Sequence, residues 1–438
     1  MGHLAGKDIY RQLGEKIDSL QFRAPWNDTL REILTELYSP DDARLLCRMP
    51  LGLSTLDEVA RVTGEDREEL RRALDSLCDR GLAMDLLVGG EYRYAISPLV
   101  IGIFEFTMMR TDGGYDAGRM ARLFHEYFET GAPFAANYGN GEQTTLFRAL
   151  AHEETLRDGS YAEVLDYERA VGIVEQQEGD SFSLGICACR HEHLHIGDKE
   201  CEDPLEMCTS FGVAAEWLIR RNMAQRISRG RMLEHLARSR ERGLVFCADN
   251  IQRNVTFICN CCRCCCGLLD GVNRHGYTNI VATSGYIARS DDATCKGCNH
   301  CEKACPVDAI RMVADDDPNR KRKKKPLVDE ALCLGCGVCA VKCQTGAMKL
   351  EPRARRVIPP ETTFHRVLLM ALERGNLQNM IFTHPELRSH RYLRGLLGGF
   401  LRLTPVKRAL MSDTLRSRFL AAMERGIRAQ RQGWVLEL

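Results

Sequence analysis

Cysteine is the residue type through which this chain could do chemistry. The sequence has 21 cysteines in 438 residues, and all except Cys47 and Cys78 lie between residues 187 and 343. The stretch FICNCCRCCC at 257–266 alone contains six of them. Thiolates bind soft metal ions and iron-sulfur clusters, whereas unprotected thiols in such numbers oxidise. We therefore expect these thiols to hold metal or to cycle between redox states.

Two short segments repeat one cysteine spacing. Residues 295–306 read CKGCNHCEKACP and residues 333–343 read CLGCGVCAVKC, so both follow C-x2-C-x2-C-x3-C. This doubled pattern resembles the bacterial two-cluster ferredoxins. The family has a proline after the fourth cysteine, which is Pro306 in the first run but is replaced by Gln344 in the second. Two zinc knuckles are the alternative, although zinc usually takes two separated cysteine pairs.

The ferredoxin resemblance implies two 4Fe-4S clusters, each with three ligands from one run and the fourth from the other. The first ligand set is Cys295, Cys298, Cys301 and Cys343. The second ligand set is Cys333, Cys336, Cys339 and Cys305.

Further cysteines lie upstream in two blocks, residues 187–208 and 259–266. Neighbouring residues of an extended chain point in opposite directions, so adjacent thiols serve different sites. We predict that the two blocks fold against each other and hold one or two further iron-sulfur clusters. The predicted metal ligands are Cys187, Cys189, Cys201, Cys208, Cys259, Cys261, Cys262, Cys264, Cys265 and Cys266, and Cys247 is one more thiol nearby.

Two alternatives stay open for these blocks, namely a zinc site and a thiol-disulfide active site. His191, His193 and His195 alternate within the first block, and we predict hydrogen-bonding or surface roles for them. The order of C-x-C-R, the cysteine-dense stretch and the dicluster runs resembles iron-sulfur proteins of anaerobic bacteria over roughly residues 185–350. That resemblance implies anaerobic electron transfer.

The flanking region at 29–98 has a different pattern. Residues 55–64 and 66–82 predict two helices, and residues 83–97 predict a hairpin closed at two glycines. This order resembles a winged helix. Residues 55–98 have six basic and ten acidic side chains, a balance of minus four, which disfavours binding to phosphate backbones. We therefore expect protein docking or scaffolding, with no nucleic acid bound, and we expect Cys47 and Cys78 to be buried thiols.

Two other segments are predicted to be helical. Residues 210–246 predict two amphipathic helices, the second capped by Ser228. Residues 351–438 contain sixteen basic and seven acidic side chains; we expect this region to pack or dock, and association with a membrane surface is the alternative. A charged loop at 314–326 predicts a solvated connection, with steering of an acidic redox partner as the alternative.

These patterns predict an α+β multidomain chain that is mainly helical. Residues 1–150 form a helical region with the winged-helix-like module, and residues 151–285 form a Cys-rich metal or cluster domain with the helical pair. Residues 286–350 form the dicluster ferredoxin domain, and residues 351–438 form the basic helical region. The amino terminus lacks a signal-peptide pattern, and no run of about eighteen apolar residues occurs, so we predict a cytoplasmic protein without a membrane span.

The sequence has neither a P-loop nor a G-x-G-x-x-G motif that would open a helix after a strand, and so predicts no ATP, nicotinamide or flavin site. We predict a multi-cluster iron-sulfur protein that carries single electrons between partner oxidoreductases in an anaerobic pathway, more an electron carrier or oxidoreductase subunit than a self-contained enzyme. Two alternatives stay open. One is an oxidoreductase with a reactive Cys-rich site at 187–266, and the other is a redox-responsive winged-helix regulator.

Overall fold

The computed structural model describes residues 8–157, 165–318, 320–382, 388–401, 403–429 and 433–437. Helices and strands are both abundant, as the predicted α+β class requires. Among the described helices, none combines the length and the apolar character needed to cross a membrane. Residues 1–7, on which part of the signal-peptide prediction rests, and Asn319 of the charged loop lie outside the described residues.

The N-terminal region contains, in order, three helices, a short strand, two helices, a hairpin and three further helices. Its helices and strands are α1 (Ile9–Asp18), α2 (Asp28–Leu37), α3 (Pro40–Arg48), β1 (Ser54–Thr55), α4 (Leu56–Thr63), α5 (Arg67–Asp79), β2 (Ala83–Val88), β3 (Glu91–Ile96), α6 (Phe104–Met109), α7 (Ala117–Glu129) and α8 (Ala132–Tyr138). The described strands of this region form one sheet in the order β1-β3-β2.

Local sequence explains the boundaries of these elements. Thr55 caps α4 by accepting the Glu58 N–H, and the helix ends at Gly64 in the left-handed region, as expected of such caps. The β2–β3 hairpin turns at Gly89 and Gly90, with φ of 62° and 78°. A two-residue turn of this kind needs two positive φ values. The predicted helices and hairpin are present, and the winged-helix assignment stays a prediction.

A large sheet organises the middle of the chain, and the sequence did not predict it. Its described strands lie in the order β10-β4-β8-β9-β6-β5-β7. The strands and helices here are β4 (Phe147–Ala149), α9 (Ala170–Glu175), β5 (Phe182–Ile186), α10 (Ala188–Ile196), β6 (Glu206–Phe211), α11 (Gly212–Arg220), β7 (Ala224–Ile227), α12 (Arg229–Arg242), β8 (Val245–Asp249), β9 (Phe257–Cys261), α13 (Gly267–Asn273) and β10 (Val281–Ala282). Strand β4 belongs to this sheet although it lies before the domain boundary predicted at residue 150.

The two helices predicted within residues 210–246 are α11 and α12, and Ser228 caps α12 by accepting the Arg231 N–H. Strand β7 lies between them and pairs with β5, so this segment is not the simple helical pair that the sequence predicted. The two central residues of β7 are exposed and its two end residues are half-buried, so the strand has no alternating pattern. Four residues of edge strand are too short for their periodicity to stand out from that of the flanking helices.

The two faces of the middle sheet differ in chemistry. On one face Phe246, Ala248 and Ile258 pack in an apolar core with Met232 and Leu236 of α12. Side chains alternate along a strand, so the intervening residues of β8 and β9 face the other way. Those intervening residues include cysteines, and the sheet therefore separates an aliphatic face from a thiol-bearing face.

The dicluster segment consists of short elements with the cysteine loops between them. They are β11 (Tyr286–Ser290), α14 (His300–Ala304), β12 (Ile310–Ala314), β13 (Lys324–Val328), α15 (Val338–Val341) and β14 (Met348–Pro352). Strand β11 pairs with β14, and β12 pairs with β13, both antiparallel. Each cysteine run contains one of the two helices, with Cys301 in α14 and Cys339 in α15, so the runs occupy equivalent positions.

The C-terminal region packs against the rest of the chain. Its helices are α16 (Thr363–Arg374), α17 (Leu377–Ile381), α18 (Arg388–Leu401), α19 (Thr404–Met411) and α20 (Asp413–Ala429). They share an apolar core, and buried Arg366 pairs with Asp249 of β8. Glu373 accepts hydrogen bonds from the backbone and hydroxyl of Thr144 at 2.9 and 3.0 Å. These contacts favour packing over attachment to a membrane surface.

Candidate metal and cluster sites

A cavity lies between the two cysteine runs. Apolar side chains and the loop at 335–337 form much of its wall. The cysteines that line it are Cys305, Cys333, Cys336 and Cys339. All four are buried, and they are the second ligand set that the ferredoxin resemblance implied. Four soft thiol donors around an apolar space fit an iron-sulfur cluster.

Glycine lets the second run curl around this cavity. Gly335 and Gly337 have φ of 68° and 86°, values that side-chain-bearing residues rarely adopt. A Cβ at Gly335 would clash with the Tyr286 carbonyl oxygen, and one at Gly337 would clash with Thr155. The backbone of this loop can therefore approach its neighbours closely because Gly335 and Gly337 lack side chains.

The first ligand set is closer to the surface. Cys298 is exposed. Burial, together with repulsion from the neighbouring Cys295 and Cys343 thiols, raises the pKa of Cys301 to about 11, although backbone N–H groups oppose the increase. The Cys343 Sγ accepts the Met348 N–H at 3.4 Å. The structure thus brings Cys343 of the second run to cysteines of the first run.

Backbone N–H groups directed at cysteine sulfur stabilise the thiolate form that metal ligation needs. In the second ligand set the Ala309 N–H donates to Cys305 Sγ at 3.2 Å. Burial raises the pKa of Cys343, but the hydrogen bond from the Met348 N–H, together with other hydrogen bonds, lowers it below the ordinary cysteine value.

Residues 294–347 match the model of a 4Fe-4S dicluster domain. The chain carries an iron-sulfur domain of the ferredoxin kind. The match covers a minor part of the sequence, and no curated protein and no solved structure matches the chain. The individual ligand assignments inside this dicluster domain stay predictions, which the observed groupings of thiols support.

A compact group of four thiols forms the second candidate site. The four-thiol group consists of Cys201, Cys262, Cys264 and Cys265. Their sulfur atoms all lie within 4.8 Å of one another. The Cys201–Cys262 and Cys201–Cys265 distances are 3.7 and 4.0 Å, and the Cys264–Cys262 and Cys264–Cys265 distances are 3.6 and 3.4 Å. One ligand comes from the 187–208 block and three come from the 259–266 block.

The thiol-bearing side of the middle sheet forms the third candidate site. The members of this thiol face are Cys187, Cys189, Cys208, Cys247, Cys259, Cys261 and Cys266. Strand pairing places Cys259 of β9 opposite Cys208 of β6 and opposite Cys247 of β8. Cys187 and Cys266 are the residues that immediately precede α10 and α13. Three adjacent strands and two helix starts thus bring these thiols together.

The thiols of this face interact with one another. The pKa of Cys261 is raised by hydrogen bonding to Cys247, Cys259 and Cys266. A hydrogen bond from Cys189 lowers the pKa of Cys187 to about 7, burial opposes this shift, and Arg190 assists it. A position at a helix start favours thiolate for the same electrostatic reason.

Arg190 lies between the two upstream sites and is 1% exposed. Its Nη2 donates to the Asn260 carbonyl at 2.8 Å. In the four-thiol group, hydrogen bonding from Cys265 lowers the pKa of Cys262 to about 5, burial opposes the shift, and Arg190 assists it. One buried guanidinium therefore supports negative charge at Cys187 and at Cys262.

The thiol face adjoins the dicluster domain. Burial raises the pKa of Cys336, and repulsion from Cys305, Cys333 and, more weakly, Cys247 adds to the increase. Cys247 itself lies opposite Ala149 of β4. The His152 N–H also donates to the Cys336 carbonyl at 3.0 Å, which fixes the end of strand β4 against the second cysteine run.

Arg263 provides a second link to the dicluster domain. It lies within the cysteine-dense stretch, and its two terminal nitrogens each bond a carboxylate oxygen of Asp308 at 2.6 Å. The same side chain donates to the Cys305 carbonyl at 2.8 Å. The cysteine-dense stretch thus contacts the dicluster domain through a residue that is itself flanked by thiols.

Neighbouring cysteines divide between the two sites at two places, whereas the adjacent Cys264 and Cys265 share the four-thiol group, because residues 263–265 form a turn rather than a strand. Cys261 and Cys266 belong to the thiol face, whereas Cys262 and Cys265 belong to the four-thiol group. The sequence did not indicate Cys247 as a ligand. A strand over 245–249 would have placed this thiol on the face opposite to Phe246 and Ala248. It also missed Arg190, for which no local pattern existed.

The histidines of α10 form hydrogen bonds. His191 Nδ1 donates to the Met108 carbonyl at 2.6 Å, and His193 Nδ1 lies 2.7 Å from an Asp198 carboxylate oxygen. His125 of α7 and Glu192 lie beside His193, with one possible ligand atom of each within 4.8 Å of the others. These hydrogen bonds agree with the role that the sequence predicted, and His125 is a member of this group that the sequence did not indicate.

Proposed function

We propose that the protein is a multi-cluster electron-transfer protein of an anaerobic redox pathway, in which the thiol face holds at least one iron-sulfur cluster beside the dicluster domain. The observation that carries this proposal is the position of Cys247 opposite Ala149 of β4, three residues before His152, whose N–H donates to the Cys336 carbonyl at 3.0 Å. Iron-sulfur clusters supply one-electron oxidation and reduction when bound. Electron transfer between centres requires them to be near each other, and this arrangement meets that requirement.

The chain's own residues give these sites a dry environment. Cys247 is fully buried at the centre of the sheet, and Cys261 and Cys266 are buried beside it. The four thiols of the dicluster cavity are equally protected. Burial excludes water and oxygen from bound metal and, with hydrogen bonds to sulfur, sets the reduction potential. The dicluster cavity and the thiol face are therefore internal. Electron exchange with partner proteins needs a site nearer the surface.

The exposed end of the dicluster domain provides such a site. Arg322 is buried between Asp292 and Asp315 and bonds the Cys295 carbonyl at 3.4 Å, so the charged hairpin lies over the first cysteine run. Its lysines at 321, 323 and 324 are exposed. This positive surface next to exposed Cys298 suits an acidic redox partner, because opposite charges steer the encounter.

Iron and acid-labile sulfide, measured on oxygen-free protein, test this proposal. Two 4Fe-4S clusters would give about eight irons per chain, and a further cluster raises the count to about twelve or more. We expect Cys259→Ala to remove the additional iron and sulfide and to leave the dicluster signals in the electron paramagnetic resonance spectrum of the reduced protein. Cys47→Ala is the matched control, since this thiol lies in α3 of the N-terminal region.

A count of eight irons that Cys259→Ala leaves unchanged would overturn the proposal. In that case alkylation of Cys187 and Cys189 by iodoacetamide at neutral pH distinguishes the alternative of a reactive thiol site, because Cys187 has a pKa of about 7. A cycling disulfide would be excluded as well if prior oxidation of the protein protected neither thiol from alkylation.

A further inference from the structure

The four-thiol group is more compact than the other candidate sites. Four sulfurs bound to one ion at bond lengths of 2.3 Å form a tetrahedron with edges of about 3.8 Å. The measured sulfur–sulfur distances of 3.4–4.0 Å fall around that value. Within the part of the chain that the structure describes, no other set of three cysteine thiols is as close. In a cubane each thiolate binds a different iron, which holds the sulfurs further apart.

We propose that Cys201, Cys262, Cys264 and Cys265 bind a single divalent metal ion in a tetrahedral site, separate from the iron-sulfur clusters. Four thiolates with no open position are the donor set of structural zinc sites, and iron(II) can occupy the same geometry. The inference does not depend on the electron-transfer function, because it rests on the spacing of these four sulfurs alone.

The surrounding charge fits such an ion. Four thiolates and one divalent ion have a net charge of minus two. Arg190 lies next to Cys262, and its Nε and Nη1 are buried without a hydrogen-bond partner among the described residues. A buried guanidinium with free donors is costly unless negative charge is nearby. Asp203 lies 3.9 Å from Arg190 Nη2, and the metal-thiolate centre adds negative charge on the side of Cys262.

The site also has a clear structural use. Cys201 lies in the segment 197–205, which has neither helix nor strand between α10 and β6. The other three ligands lie between β9 and α13. An ion shared by these segments fastens the loop to the sheet, much as a disulfide closes a loop in an oxidising compartment. Asp203 of the same loop pairs with Arg242 at 3.0 Å, so the loop has a second attachment if the ion is absent.

Metal analysis of variants tests the proposal. We expect Cys201→Ser and Cys264→Ser, purified without oxygen, each to lose one metal ion per chain while inorganic sulfide stays at the wild-type value. Loss of zinc identifies the ion as zinc, and loss of one iron identifies it as iron. Cys47→Ser is the matched control and retains all metal. Loss of sulfide together with several irons would overturn the single-ion site and assign these cysteines to a cluster.

Two further measurements keep the test independent of folding yield. Cobalt(II) incorporated in place of the ion gives the visible absorption of a tetrahedral thiolate complex in the wild type, and we expect this absorption to disappear in Cys201→Ser. Limited proteolysis should cut residues 197–205 faster in this variant, with the rest of the chain intact. Unchanged cobalt absorption in the variant would contradict the ligand assignment. Failure of the electron-transfer proposal is read separately, from the sulfide content of Cys259→Ala.

Discussion

The dicluster domain and the region of the middle sheet, here called the middle domain, both concentrate cysteine. They position it by different means. In the dicluster domain three thiols of each predicted ligand set come from a single cysteine run, and glycines with positive φ let each run curl. In the middle domain Cys208, Cys247 and Cys259 lie on three different strands and meet only because those strands pair. One arrangement is written into local spacing, whereas the other depends on a complete sheet.

This difference predicts how each region responds to change. A site made by a short loop is sensitive to the loop's own ligands and glycines. A site made by strand pairing is sensitive to whatever holds the sheet in place, including contacts far along the chain. The middle domain has such contacts with the N-terminal region: Trp217 and Arg220 of α11, and Arg221 just beyond it, surround buried Asp85 of β2.

The largest expected effect separates the metal contents of the two regions. Cys336→Ser removes a ligand from the dicluster cavity, and we expect the loss of about four irons per chain, the content of one cluster. The iron of the thiol face should remain, because its proposed ligands are unchanged. Iron and sulfide analysis with resonance spectra of the reduced protein measures this. If the single substitution removed all iron, the two regions would not be independent.

The next largest effect concerns the distant support of the middle domain. Asp85 is 3% exposed and pairs with Arg220 and Arg221 at 2.6 Å each. Asp85→Asn removes the buried partner of Arg221 and leaves it only the more exposed Asp75 and Asp79, so we expect the free energy of unfolding to fall by about 3 kcal/mol. Hydrogen exchange should increase in α11 and not in the dicluster domain.

Asp79→Asn is the matched control for this prediction. Asp79 also pairs with Arg221 at 2.6 Å but its side chain is 64% exposed, so its loss should cost less than about 1 kcal/mol. Equal effects of the two substitutions would show that the buried position of Asp85 has no special importance.

The same clamp has a defined pH dependence. Burial raises the pKa of Asp85, but hydrogen bonds from Arg221 and Arg220 outweigh it and lower the pKa below the ordinary aspartate value. A carboxyl group whose pKa is lower in the folded state stabilises the fold above its unfolded pKa of about 4, and the stabilisation is lost as the pH falls through the folded value. Denaturation midpoints measured between pH 6 and pH 3 should therefore fall at acid pH for the wild type, and by less for Asp85→Asn.

A smaller effect tests the local construction of the dicluster domain. Gly335→Ala places a methyl group against the Tyr286 carbonyl at a positive φ, and we expect a loss of about 2–3 kcal/mol. Gly346→Ala is the control, because its φ of 66° is similar and no atom lies within 4 Å of the added carbon. It should cost only about 1 kcal/mol. Urea unfolding followed by cluster absorbance measures both, and equal losses would remove the role assigned to close approach.

The smallest expected effect lies at the junction of the two regions. Arg263→Gln breaks the exposed pair with Asp308, so unfolding should become easier by less than about 1 kcal/mol. Because Arg263 also holds the Cys305 carbonyl, hydrogen exchange should rise at residues 305–309. Arg289→Gln, which breaks the exposed pair with Glu330, should leave those amides unchanged. Equal exchange in both variants would mean that Arg263 does not hold the junction.

The N-terminal region shows how far local signals go and where they stop. The patterns at 55–64 and 66–82 and the glycine pair at 89–90 predicted α4, α5 and the hairpin correctly. Acidic residues that argued against DNA binding have a partner in the structure. Asp75, Asp79 and Asp85 all pair with Arg221 of the same chain, and docking of the module to another protein stays a prediction. Arg221 belongs to a region more than a hundred residues away in the sequence, and no local pattern could join them.

The sequence by itself determined the dicluster domain, because a C-x2-C-x2-C loop is short enough for its spacing to dictate where three thiols meet. It also predicted that the adjacent Cys261 and Cys262 would separate, but it did not predict that the adjacent Cys264 and Cys265 would share a site, because they lie in a turn beyond the end of β9. Only the tertiary structure decided which thiols share a site. Cys201 joins Cys262, and Cys247 joins Cys259, through strand order and loop paths, and those are set by burial of the sheet's aliphatic face rather than by any spacing among the cysteines.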